Sequence, residues 1–256
     1  MFPSKSVIYR LPLGLHLTIF AALSVLLAAG LPYSDALYGI KDAGLRNLGV
    51  IYAITVAFLL SISIGRRRSL QEMVLLELNK VRRINHLAKN IVVKQPELQP
   101  WYDEVHGCLE KYLEFFRDHD LGHYEESNRL FRRVTYLVYS LPKSQAGSGG
   151  DLYGELLGTV GSATEAREYV GNLIAPSVGG FQLGAVLLIS LSLGIMSSAA
   201  SPFNLVSRSG AALANFCTFL VLEILYDYEF MAGKKKREMA DQYVLNLQHL
   251  VETMPG

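Results

Sequence analysis

The sequence predicts an all-α membrane protein: four transmembrane helices in two hairpins, with a helical cytosolic domain between them. Three observations carry this. Apolar residues crowd positions 11–31, 48–64, 178–200 and 210–230, and nearly all charge lies between and after these blocks. Lysine and arginine are spread unevenly over the connecting segments. The charged middle of the chain carries an apolar stripe at helical spacing. Half of the 256 residues are hydrophobic and 18% are charged, where a soluble domain carries about 25% charge. The hydrophobic content excludes a disordered chain, and two cysteines exclude a disulfide scaffold.

The first span, about 13–31, holds 19 residues without a formal charge and stops at Pro32. At about 1.5 Å per residue it is about 28 Å long, close to the hydrocarbon core of about 30 Å. Ala28, Ala29 and Gly30 resemble a signal-peptide cleavage site, but the apolar block is long for that role. The second span, about 48–64, is short and ends in Arg66, Arg67 and Arg68. The third, about 178–200, has no charge. The fourth, about 210–230, is apolar through Leu222, then meets Glu223, Asp227 and Glu229, and Lys234–Arg237 follow it. Basic residues favour the cytoplasmic side. Their placement puts both termini and the middle segment on one side, cytoplasmic, stromal or matrix, as an even number of spans requires.

The expected organisation is an N-terminal hairpin over 1–65, a cytosolic domain over 66–177, a C-terminal hairpin over 178–231 and a cytosolic tail or helix over 232–256. Leu70, Val74, Leu78, Val81, Ile84, Leu87 and Ile91 recur every three or four positions. No breaker separates them from span two, so one helix runs out of the membrane to about Val93, where Pro96 and Pro100 end it. A second helix starts near Trp101 with Trp101, Val105, Cys108, Leu109, Tyr112, Leu113 and Phe116 as its apolar face. A third covers about 124–140. Residues 142–150 read as a flexible loop, and a fourth helix covers about 151–171.

Glu223 lies within a span, where burying a charge is costly, and is therefore a functional candidate. It could also snorkel, or pair with Arg66–Arg68. Asp227 and Glu229 read as interfacial partners of the lysines. His119 and His123 are four apart in the one metal-like cluster, 118–125, but Gly122 between them favours a solvated turn. Cys108 and Cys217 read as small buried hydrophobes. Gly180 with Gly184, and Gly210 with Ala214, allow close packing within the chain or between subunits. No nucleophile elbow, phosphate loop or dinucleotide fingerprint is present, so neither an enzyme nor a cofactor is expected. A net charge of +1 gives no field for nucleic acid. In span two, Ile51, Thr55, Phe58 and Ile62, or Ile54, Phe58 and Ser61, share helical rows. They face lipid or the bundle or, in an oligomer, form a hydrophobic constriction.

The architecture resembles the bestrophins and bestrophin-like membrane proteins. The likeness rests on the stretch 6–10 ahead of span one, on the run from Ala57 to Arg66 leading into the charged helix 72–83, on Glu165 and Arg167 before span three, and on residues 225–230 with Gly233 at the close of span four. The family's aromatic cluster after span two is replaced here by 66–71, and its Pro-Phe-Gly element is absent. The resemblance implies a homo-oligomer, a pentamer, with span two lining a chloride or bicarbonate pathway. Ile54, Phe58 and Ile62 would form its neck, and Arg66, Arg67 and Arg68 would concentrate anions in a vestibule. The competing reading is a non-catalytic accessory or assembly subunit of a larger membrane complex.

Overall fold

A computed structural model describes residues 13–141, 150–230 and 234–252. The expected loop 142–150 lies outside the described residues except for Gly150, as do the stretch 6–10 and Gly233. Among the described residues the chain is helical without strands: α1 (Leu13–Gly30), α2 (Asp35–Lys94), α3 (Gln99–Asp118), α4 (Asn128–Tyr139), α5 (Gly150–Ile174), α6 (Gly180–Ala199), α7 (Leu205–Phe230) and α8 (Lys234–Glu252). The fold is that of an all-α membrane protein. By length and composition, segments within Gly44–Lys94, Gly180–Ala199 and a stretch opening at Leu205 can cross a membrane, while the apolar part of α1, Leu17–Gly30, is shorter.

The chain divides into two compact units, Met1–Arg66 with Pro176–Gly233, and Arg67–Ala175 with Lys234–Gly256. In the first, α1 packs on α6 and α7. Its core gathers Tyr52, Val56 and Leu59 of α2 with Val178, Val186 and Leu225. Lipid tails are as apolar as leucine, so helix association in a bilayer depends on close packing and polar contacts. Both occur here. A Cβ on Gly194 would lie 3.5 Å from Asn215 Oδ1 and 3.8 Å from Leu27. Beside it, Asn215 donates to Ser198 Oγ at 2.9 Å and accepts from Ser197 Oγ at 2.8 Å. By contrast, Gly184 and Gly210 have open space around them. The turns are set by capping residues: Ser34 precedes α2, and Asn204 Oδ1 accepts the Ser207 N–H at 2.8 Å at the start of α7.

In the second unit the sequence stripe Leu70, Val74, Leu78, Val81, Ile84, Leu87 and Ile91 is no more than 3% exposed. Each such side chain contributes about 1.5–3 kcal/mol on burial. The helix ends where expected. Pro96 disfavours helical geometry at the preceding residue, and Gln95 sits at φ −142°, ψ 79°. After α3, His119 is extended and Asp120 accepts the Gly122 N–H at 2.8 Å, opening a 3-10 segment, Leu121–Ser127. A side chain at Gly122 would collide with that carboxylate. The expected third helix over 124–140 is therefore a 3-10 turn followed by α4. Trp101 and Cys108 are half-buried, and Tyr102 and His106 take the inner positions of α3. Trp101 Nε1 donates to Leu137 O at 3.0 Å, and Tyr153 ties α5 to the carbonyl of Val138 at 2.9 Å.

Candidate functional site

Helix α2 has two contrasting faces through its apolar run. Tyr52, Val56, Leu59, Ser63 and Arg66 are buried, at helical spacing. On the other side stand Ile51, Ile54, Phe58 and Ile62, exposed by 52%, 66%, 64% and 37%. Spacings of three and four turn both sets into stripes, which is why one helix can anchor in its bundle and still present a continuous apolar rail.

The arginine triplet after the rail is divided by the helix turn. Arg66 is directed into the packing, with its side chain 5% exposed. It donates to the Glu229 carbonyl, and its Nη1 lies 3.8 Å from Glu229 Oε1. Glu229 is fully buried and accepts from Ser63 Oγ at 2.5 Å and from the Val178 N–H at 2.7 Å. Arg67 is half-buried. Arg68 is exposed and pairs with Glu72 at 3.1 Å. Thus Glu229, which the sequence suggested as a partner of the lysines, is instead the buried counter-charge of Arg66. Glu223 is half-buried on α7. The signal that could have found Glu229 is its register: it lies one helical step of four beyond the buried Leu225.

The second unit holds a larger polar centre. Glu77 is completely buried and pairs with Arg167 Nη1 at 3.0 Å. Tyr124 and Tyr243 donate to Glu77 Oε2 at 2.6 and 2.7 Å, and Tyr112 donates to Oε1. Arg167 also donates to Ser127 Oγ at 3.1 Å and Asn128 Oδ1 at 2.8 Å, with its guanidinium 4.6 Å from the Tyr112 ring centre. Burial drives the hydroxyls of Tyr112, Tyr124 and Tyr243 well above their usual range, and nearby Glu77 adds to this. Burial opposes the charge on Arg167, but Tyr112 and Glu77 outweigh it and hold the guanidinium protonated. This centre binds α2, α3, α4, α5, α8 and the 3-10 segment together. Glu77 sits among Val74, Leu78 and Val81 on the apolar stripe. A carboxylate in register with a core face was the sequence signal for it.

His119 stacks on Phe115 at 4.2 Å and contacts its carbonyl at 2.9 Å, while His123 contacts Asp120 at 3.2 Å. The turn occupies both rings with protein partners. Among the described residues no group of three His, Cys, Asp or Glu side chains could hold a metal ion. Cys108 is half-buried and Cys217 is exposed, so neither is the fully buried hydrophobe expected.

A membrane bundle carrying an open apolar rail, joined in one chain to a helical unit around a buried ion pair, defines an all-α integral membrane architecture. Solved structures of this architecture exist. A bacterial bestrophin homologue from Klebsiella pneumoniae matches with a TM-score of 0.65 and 13% identity, over 95% of this chain and 100% of its own. A tryptophan-to-alanine variant of that homologue matches with a TM-score of 0.68 and 13% identity, over 98% and 100%. A structure described as a membrane protein variant reaches 0.70 at 14% identity, over 91% and 98%. No family model matches the sequence, and no curated protein matches it. The resemblance read from the sequence holds at the level of fold: the chain has the bestrophin-like architecture, with likeness in arrangement rather than in motif.

Proposed function

We propose that this chain is the subunit of a homo-oligomeric membrane channel, with α2 facing a central conduction axis. The observation that carries this reading is the rail. Ile54, Phe58 and Ile62 stay exposed on a helix whose opposite face is fully engaged, within a bestrophin-like fold. Repeated around an axis, such side chains form a narrow apolar ring that opens and closes by wetting and dewetting. Arg66–Arg68 follow the ring in the sequence. The exposed Arg68 is the member best suited to raise the local concentration of chloride or bicarbonate at the mouth. Both termini and the helical second unit lie on the cytoplasmic side, in line with the basic residues that flank the spans. Glu223 contributes to the protein–lipid boundary near the end of α7.

Purified protein in a planar bilayer tests this. An anion-selective current is expected, and Phe58→Ala should increase it severalfold by widening and wetting the ring. Arg68→Glu should shift the reversal potential toward the cation side. Absence of current across calcium and pH conditions, together with a particle of one copy bound to a large partner, would replace the channel by an accessory subunit.

A further inference from the structure

The second unit contains a cleft of about 400 Å³ between the start of its α2 portion and α8. Arg67 and Gln71 of α2 and Lys235 and Gln242 of α8 are among the residues that line it. We propose that this cleft binds the phosphate headgroup of an anionic phospholipid, with Arg67 and Lys235 as the residues that hold the phosphate. The site is independent of whether the protein conducts ions.

The cleft has two kinds of wall. Val74, Leu75 and Met239 are apolar, while Arg67, Gln71, Lys235 and Gln242 supply cations and amide donors. Free phosphate needs only the second kind. A lipid brings both a charged headgroup and an apolar stem, which suits the apolar floor. The volume lies within the usual range for small-molecule sites, about 300–1,000 Å³.

Charge points the same way. Two cations face one carboxylate, Glu238, and the neighbouring sequence adds Arg68, Lys234, Lys236 and Arg237. Burial, and after it the Arg67 guanidinium, hold the Lys235 amine below the ordinary lysine range. An anion between the two relieves that repulsion. Position along the chain provides access. Arg67 lies three residues past Ile64, about 4.5 Å along the helix, and Lys235 follows the end of α7 by five residues. Basic clusters that directly follow membrane spans meet anionic headgroups at the bilayer surface.

The test uses the full-length protein purified in detergent and measures its affinity for a soluble short-chain phosphatidylglycerol. The same assay is run with a zwitterionic short-chain phosphatidylcholine and with inorganic phosphate. Wild type should prefer phosphatidylglycerol over phosphatidylcholine. Arg67→Gln with Lys235→Gln should weaken phosphatidylglycerol binding by about thirtyfold, from the usual contribution of each surface cation. The charge-conserving pair Arg67→Lys with Lys235→Arg should retain it, and so should Arg129→Gln with Arg132→Gln, an equal charge change on α4. Binding of inorganic phosphate without the lipid, lost in the same double variant, would identify free phosphate as the ligand of this cleft. Equal binding of both lipids, or unchanged affinity in the Gln pair, overturns the proposal. If the Gln pair fails to fold, a wild-type protein blind to both phosphatidylglycerol and phosphate overturns it equally.

Discussion

Among the described residues, each unit of the molecule buries an arginine–carboxylate pair, and the two are satisfied by different means. In the second unit Glu77 and Arg167 are separated by 90 positions and clothed by aromatic side chains. Tyrosine is suited to this place because its ring fills the core while its hydroxyl reaches the charge. In the first unit Arg66 lies midway along α2, while Glu229 stands at the end of α7 and Val178 just ahead of α6. The pair's hydrogen bonds go partly to main chain, the Val178 N–H and the Glu229 carbonyl, and partly to Ser63 and Ser177. Membrane-facing helices have few polar side chains to lend, whereas helix ends leave main-chain groups unpaired. The same ion pair is thus solvated by aromatic and polar side chains in the charged unit, and by backbone together with two serines in the apolar one.

The largest effect should come from splitting the aromatic-clad pair. Arg167→Met leaves Glu77 buried without its counter-charge and should cost about 3–5 kcal/mol. Glu77→Leu combined with Arg167→Met should recover a large part of that loss, as a double-mutant cycle in denaturant would read. Equal losses in the single and double variants would break the comparison, because the tyrosines rather than the pair would then hold the centre.

Alkaline pH gives the next effect. The phenols of Tyr112, Tyr124 and Tyr243 ionise at higher pH in the folded chain than in the unfolded one. Their contribution is therefore fully present below the unfolded value of about 10 and falls as pH rises beyond it, by up to about 4 kcal/mol per pH unit for three groups. Tyr243→Phe should reduce that slope by about one third. Unfolding followed between pH 9 and 12 reads both, and a slope unchanged by the substitution would remove Tyr243 from the centre. The smallest effect belongs to the backbone-clad pair. Ser63→Ala removes one donor from Glu229 and should cost about 1–3 kcal/mol in thermal inactivation of the detergent-solubilised protein. A loss as great as that of Arg167→Met would erase the contrast.

The helices were largely legible in the sequence because periodicity and breakers are local. The stripe from Leu70 to Ile91 and the stop at Pro96 needed no knowledge of their partners. Composition misplaced the beginning of α2. The apolar block marks span two only from Leu48, but no proline lies between Asp35 and Leu48, and the helix runs on through Gly39 and Gly44. The buried pairs were less legible. Their partners lie 90 and 163 positions apart, and only the fold brings them together. The register of Glu77 and Glu229 on buried faces marked one half of each pair. Nothing local named the other. Tyr243 was hidden for the same reason, on a terminal segment read only as a tail or helix.

That tyrosine sets the order in which the protein can be completed during synthesis. Its hydroxyl supplies Glu77, and its ring stacks on Phe116 at 4.1 Å. Tyr243 leaves the ribosome after α6 and α7, so the charged unit stays one latch short until the last apolar helices have been made. A nascent chain halted before Lys234 would carry a carboxylate with a missing donor and an uncovered aromatic face, a state that quality control could recognise.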